Sequence, residues 1–456
     1  MPAPARRRTA GTRPSRVAST ALVLCGRAFV RGQLRPVEIA IDDEGRIQSV
    51  GRIREGAPRH DVADAIILPA ATDMHVHFRQ PGGPTDAETL ATGTEGAALG
   101  GVALVGEMPN THPPVTDTDH LEEKARLVAG RAAVDVLLYA APVVPGALGA
   151  LSRRAGGFKV YMAPTTAIEH PLPVSELPSL WDRLAELRLP VSVHAEDPAR
   201  FVPVERPDSP RAWNAHRPVG AEATALEALR AAPKAVRLHA AHVTTGEGAR
   251  GLRAAGVSFE ATPHHLLLSD RSGPDARFKV NPPLRSESDR AALWESFRRG
   301  EVPILASDHA PHPSNAKHLP FERAPSGVPG VETMLPLLLA QVRTGELDLG
   351  VLVAAACDRP ARFLGQPMGR IAPGHRANLI VVDFTKRTRV EGKDLRSPCG
   401  WTPFEGWDEI RPREHYRDGV RIVEGGEYVG APVGRVVRPE YAPGEPEGSP
   451  RPPDSD

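Results

Sequence analysis

The sequence predicts an α/β protein, a (β/α)8 TIM barrel with a small β-sandwich domain formed by both chain ends. Three observations predict it. Strand-like and helix-like segments alternate through the middle of the chain. Short apolar runs broken by glycines occupy both ends. Residues able to hold a metal fall at the ends of several central strand candidates, where a barrel does its chemistry.

Taken in order, residues 1–16 carry Arg6, Arg7, Arg8, Arg13 and Arg16 and no acid. A stretch rich in Pro and Arg buries nothing, so a disordered extension is expected there. Between 17 and 68, apolar runs at 21–24, 28–30, 37–41 and 46–50 read as strands. A matching pattern returns at 378–383 and 420–423. These ends are assigned to one composite β-domain, 17–68 with 371–435, around a barrel of 69–370. Residues 436–456, rich in Pro, Glu and Gly, read as a disordered tail. Eight barrel strands are expected at 65–68, 102–106, 134–140, 157–162, 191–194, 236–242, 257–262 and 302–307. Helix-like stretches such as 121–128, 179–187 and 221–230 lie between them.

Bulk properties narrow the function classes. The chain has 456 residues, enough for a large core, and its 56 basic residues match its 56 acidic ones. Zero net charge leaves no electrostatic footprint for nucleic acid or an anionic membrane. Cys25, Cys357 and Cys399 are odd in number and far apart, which indicates neither a disulfide framework nor a Cys-rich zinc site. A reducing cytoplasm is the simplest compartment. No apolar run approaches the roughly 20 residues that span a bilayer, and 19–25 is too short for a secretory segment.

The chemistry-bearing residues are few. His75 and His77 alternate across Val76, so in an extended chain both rings point to one side and can meet one cation. The alternative is a pair of exposed loop histidines. Lys159 sits in the apolar strand Gly-Phe-Lys-Val-Tyr-Met, where a lysine is rarely buried without a partner. It either snorkels outward to water or serves as a functional amine. His194 and His242 end apolar strands, and a set of histidines on successive strand ends suits metal ligation better than core hydrogen bonding. Asp308, at the last strand end, suits a metal ligand, a general base or a helix N-cap. His309 could hold the orientation of a ligand, and His239 reads as structural. His264 and His265 stay ambiguous between packing and lining the site.

These residues lie in segments that resemble a known family. They are DMHVHFRQPG at 73–82, EMPNT at 107–111, GFKVYM at 157–162, VHAED at 193–197, HVTT at 242–245, TPHHLLLS at 262–269, KVNPPLR at 279–285, SDHAPH at 307–312 and GVPGVETMLPLLL at 327–339. The chain resembles the amidohydrolase superfamily and, within it, the dihydroorotase family, over nearly the whole barrel. ANLIVVD at 377–383 is also similar to that superfamily's return into its β-domain. The resemblance implies two Zn2+ ions, one held by His75, His77 and Asp308, the other by His194 and His242. Carboxylated Lys159 would bridge them. It implies reversible hydrolysis of (S)-dihydroorotate to N-carbamoyl-L-aspartate in pyrimidine biosynthesis, with Asp308 moving the proton.

Dihydroorotate carries a carboxylate, which needs a cationic clamp. Arg79, two residues after His77, matches carboxylate geometry in a bidentate way, and Asn110 adds a donor. Asn281 and His312 complete what resembles the family's substrate-binding set. Residues 313–330 read as a loop that closes over the substrate. One rival is an allantoinase or hydantoinase-type enzyme, whose ring lacks that carboxylate. Another is a non-catalytic homologue beside aspartate transcarbamoylase, which the complete ligand set argues against. Oligomeric state and association with aspartate transcarbamoylase are left open.

Overall fold

The computed structural model describes residues 19–441 apart from 55, 144 and 169. The Arg-rich extension at 1–16 and the tail beyond 441 lie outside the described residues.

The chain opens with β1 (Thr20–Val30) and β2 (Gln33–Asp42), a hairpin whose two-residue turn has Arg31 at φ 50° and Gly32 at φ 74°. Two left-handed residues give the turn whose twist matches the flanking strands. β3 (Ile47–Gly51) extends the hairpin, and β4 (Arg59–Pro69) runs parallel to β1. Ala65 to Leu68 therefore belong to this sheet, not to the barrel as the sequence predicts. The first barrel strand is β5 (Ala71–Val76). Its polar Thr72, Asp73 and His75 disguise it, although all are buried. Asp73 is tolerated there because its Oδ1 accepts from the backbone of His75 (3.2 Å) and Ser307 (3.0 Å). The chain switches sheets at one residue pair: Ala70 N donates to Asn378 O, and Ala71 N to Gly101 O.

The remaining barrel strands are β6 (Val102–Glu107), β7 (Asp135–Ala140), β8 (Gly157–Tyr161), β9 (Val191–His194), β10 (Leu238–Ala240), β11 (Ser258–Ala261) and β12 (Ile304–Leu305). All pair in parallel, in sequence order from β5 to β12. A bridge between Val76 and His309, with His77 N donating to His309 O at 2.7 Å, ties the last strand to the first. Helices such as Leu90–Leu99, Thr118–Val128 and Val219–Arg230 cross between strands. Parallel strands need such crossovers, which cover the barrel and bury its strands on both faces.

After the barrel, β13 (Leu379–Val382) pairs antiparallel with β4. A minor ladder joins β14 (Thr388–Arg389) to β15 (Asp408–Glu409). β16 (Pro412–Arg417), β17 (Val420–Glu424) and β18 (Glu427–Tyr428) complete an eight-stranded sheet in the order β18-β17-β16-β13-β4-β1-β2-β3. Leu24, Ile39, Ile67, Leu379 and Val381 form a core of its own from both chain ends. The N-terminal part of the expected tail is built into the barrel instead. β19 (Val436–Val437) pairs in parallel with β7 at Val136 and Leu137. Glu440 N donates to Gly365 O at 2.8 Å, and the Arg237 guanidinium lies 3.9 Å over the Tyr441 ring. Backbone pairing on an open stretch of β7 outweighs the Pro-rich composition here. Among the described residues, no helix is long and apolar enough to cross a membrane.

Candidate metal centre

His75, His77, Lys159, His194, His242 and Asp308 converge at the C-terminal end of the barrel. The alternation across Val76 does bring both rings to one side, with centroids 5.2 Å apart. Asp308 Oδ1 lies 3.4 Å from His75 Nε2 and 3.2 Å from His77 Nε2. Lys159 Nζ is 3.3 Å from His75 Nε2. The His242 ring sits 5.4 Å from His75 and 4.7 Å from His194. His75, His242 and Asp308 each offer one ligand atom, all within 4.8 Å of one another.

The donor set fits divalent cations, because the partners of the imidazoles select their tautomers. His75 donates Nδ1–H to Glu260 Oε1 (2.6 Å), which leaves the Nε2 lone pair facing Asp308. His77 donates Nδ1–H to Asn110 Oδ1 (2.6 Å), with the same result. His194 donates Nε2–H to Glu196 Oε2 (2.8 Å) and keeps Nδ1 free. His242 Nδ1 is buried with no hydrogen-bond partner among the described residues. A neutral imidazole with one nitrogen held and the other free is the form that ligates metals.

Burial reinforces that form. It pulls His77 down to about 3 and lowers His194 and His242 as well. Burial alone would raise Asp308, but the His75, His77 and His242 rings packed around it hold it well below the usual carboxylate range. The Lys159 amine is pushed down to about 8 by burial. Backbone strain marks the same place. His242 (φ 39°), Asp308 (φ 47°) and Arg79 (φ 63°) are left-handed without being glycine, and such strain gathers at functional sites.

Several residues here are ones the sequence reading passed over. Glu260 bridges His75 and His239, with Oε2 2.9 Å from His239 Nε2, and its carboxylate is also held ionised by them against the effect of burial. Glu196 is in turn paired with Arg217. The signal was available: Glu260 is an acid in the middle of an apolar strand, as odd there as Lys159. His239 is structural as expected, its Nδ1 bonded to Ser258. His265 bonds Thr262 and the Pro282 carbonyl, and neither it nor His264 lines the cleft. His309 holds His77 through its backbone oxygen, while its ring bridges Glu88 and the amides of Gly330 and Val331.

Above the six residues is a cleft of about 420 Å3, open to solvent, lined also by Arg79, Asn110, Tyr161, Thr165, Thr166, Asn281, Ser326 and Gly327. Arg79 is buried, with Nε donating to Pro311 O (2.9 Å) and Nη2 3.1 Å from His312 Nε2. Burial lowers it only to about 10, so it stays cationic at neutral pH. Asn110 spends its oxygen on His77 and gives Nδ2–H to Thr166 O (3.2 Å). Orienting His77 is thus its evident contact here. Asn281 accepts from Trp213 Nε1 at 3.0 Å. His312 backs Arg79 instead of forming the cleft wall.

The model of the amidohydrolase family matches residues 66–407. A dihydroorotase of Halobacterium salinarum is 39% identical over 411 residues, 88% of this chain and 96% of that protein. One from Thermoplasma volcanium is 32% identical over 418 residues, 91% of this chain and 98% of that protein. Among solved structures, the L-hydantoinase of Arthrobacter aurescens superposes with a TM-score of 0.84 at 26% identity, covering 92% of this chain and 100% of that one.

Proposed function

The chain belongs to the amidohydrolase family and, within it, to the dihydroorotases, and on that premise we propose that it interconverts (S)-dihydroorotate and N-carbamoyl-L-aspartate at the cleft above His75. The observation that carries the substrate assignment is Arg79. Its guanidinium is buried in the cleft wall, and no carboxylate among the described residues pairs with it. A buried cation without a counter-ion is costly, and a substrate carboxylate would offset that cost through charge-assisted hydrogen bonds.

His75, His77 and Asp308 would hold one Zn2+, His194 and His242 a second, with Lys159 between them as a carbamate formed from carbon dioxide and its neutral amine. When bound, the metals supply Lewis acidity and make an oxygen nucleophile available near neutral pH. The chain's own residues do the rest. Arg79 anchors the carboxylate and so fixes which ring carbonyl faces Asp308. Asp308 takes a proton from the attacking water and delivers it to the leaving ring nitrogen, and in ring closure it reverses that path. Glu260, Asn110 and Glu196 keep three imidazoles in the ligating tautomer, so no reorganisation is needed during turnover.

The likeness to hydantoinase structures favours a second reading, hydrolysis of an uncharged cyclic amide. One experiment separates the two: interconversion of dihydroorotate and carbamoyl-aspartate assayed beside hydantoin and allantoin, with metal analysis of the same sample. Turnover of dihydroorotate by zinc-loaded protein is the expected result. Activity confined to a neutral ring would overturn the substrate while leaving the metal centre intact.

A further inference from the structure

Two lysines that the reaction does not use are buried beside the cleft. Lys279 and Lys317 are each 3% exposed, and neither is paired with a carboxylate among the described residues. Each faces three backbone oxygens. Lys279 Nζ donates to Phe321 O (2.7 Å), Glu322 O (3.3 Å) and Ala324 O (2.8 Å). Lys317 Nζ donates to Lys279 O (3.4 Å), Pro325 O (2.9 Å) and Gly327 O (2.9 Å). Three acceptors match the three hydrogens of an ammonium, where a neutral amine has only two. Burial pulls both amines down, Lys279 to about 8, and neighbouring cations add to the pull, Arg217 on Lys279 and Lys279 with Arg79 on Lys317; the three-carbonyl geometry is what suits the ammonium form.

Each lysine also lies on a tryptophan. Lys279 is 4.5 Å over Trp213, and Lys317 is 5.2 Å over Trp401. The two indoles bond one residue that lines the cleft, Asn281, and one that backs it, His312. Trp213 Nε1 donates to Asn281 Oδ1 (3.0 Å), and Trp401 Nε1 to His312 O (2.8 Å). The caged loop closes the circuit, because Ser326 O lies 2.9 Å from His312 Nε2, the nitrogen beside Arg79. Gly327, at φ 132°, allows that approach; a Cβ there would meet Ala310 O at 2.5 Å. The segment read as a mobile cover is therefore pinned at its cleft end.

We propose that Lys279 and Lys317 are specificity-determining positioning residues, which hold Asn281, His312 and Arg79 in register and add the positive potential that admits a ring bearing a carboxylate. This rests on the reading of dihydroorotate as substrate. Arg79 lines the cleft, and Lys279 and Lys317 stand behind that wall; three buried cations without paired acids raise the potential there, and an anionic ligand is what such a potential selects. A purely structural cage would be indifferent to the charge of the ring.

The test uses Lys317→Met and Lys279→Met in the zinc-loaded full chain, with orotate and its methyl ester as competing ligands. The ester keeps the ring and removes the charge. Orotate inhibition should weaken roughly tenfold and ester inhibition less than about twofold. The KM for dihydroorotate should rise far more than kcat falls. Equal weakening of both ligands, or unchanged orotate binding, overturns the proposal. Should the methionine variants not fold, Trp401→Phe keeps an aromatic ring beneath Lys317 and removes the indole donor to His312. It should weaken orotate by roughly threefold and spare the ester; an equal effect on both overturns the proposal too. A wild type active only on neutral rings removes the substrate reading and this proposal with it, whereas equal weakening in an active enzyme removes this proposal alone.

Discussion

Glu260 Oε1 lies 2.6 Å from His75 Nδ1, although the two residues are 185 positions apart in the chain. The same carboxylate reaches His239, so one acid on β11 orients an imidazole on β5 and is itself anchored on β10. Replacing it by glutamine keeps the shape and removes the charge. Glu260→Gln should lower metal affinity roughly 10- to 100-fold, as losing an orienting partner does. Metal content after dialysis against a graded chelator measures this; retention equal to wild type would refute the orienting role.

In the proposed two-metal centre, Lys159 is the bridge. Lys159→Ala should cost more activity than the roughly 100-fold upper range for an orienting residue, with loss of bound metal. Protein prepared in 13C-bicarbonate should show a carbamate carbon signal that the variant lacks. An unmodified, fully active wild type would contradict the bridging role.

Arg79 is assigned to the substrate, not the metals. Arg79→Met should raise KM for dihydroorotate by roughly 10- to 100-fold, the range of a lost charge-assisted contact, with metal content unchanged. Kinetics and metal analysis on one sample decide it.

Acid sensitivity has a source outside the centre. His415 is buried, donates Nδ1–H to Ala98 O (2.8 Å), and is lowered by burial from the ordinary 6.5 to about 4. The unfolded chain binds a proton below about pH 6.5 that the folded chain refuses. Stability is therefore lost as pH falls from about 6.5 to 4, by about 3 kcal/mol at the low end. His415→Asn keeps a donor for Ala98 and removes the titration. Its thermal midpoint should fall less than that of the wild type over this interval.

The two sheets are joined by a buried charge cluster. Asp135 on β7 accepts from Arg376 Nη1 and Arg417 Nη2, each at 2.5 Å. Asp135→Asn leaves two guanidinium groups short of charge and should destabilise the fold by about 3–5 kcal/mol. A denaturant titration would show it as a shifted midpoint.

Much of the centre was legible in the chain because burial is costly for polar groups. A lysine in GFKVYM, histidines closing apolar runs and an aspartate at the last strand end have few other reasons to be there. Glu260 carried the same signal inside Phe-Glu-Ala and was passed over. The first barrel strand was misplaced for the converse reason: Thr72, Asp73 and His75 broke the apolar pattern that Ala65 to Leu68 offered nearby. Only backbone partners tell these runs apart, Ile67 against Val381 in one sheet and Asp73 beside Val105 in the other.

By itself, then, the sequence determined the (β/α)8 class, the composite β-domain and the identity of the six central residues. Strand alternation and misplaced polar side chains are local properties, visible in any window of the chain. Tertiary structure alone decided which acid orients which histidine, that Asn110 serves His77, and that Lys279 and Lys317 cage the loop behind Arg79. Those relationships depend on barrel closure, which brings β5 against β12 and sets carbonyls and ring nitrogens within hydrogen-bonding distance. No spacing along the chain encodes such contacts, because hydrogen bonds act over about 3 Å of space, whatever the length of chain between their partners.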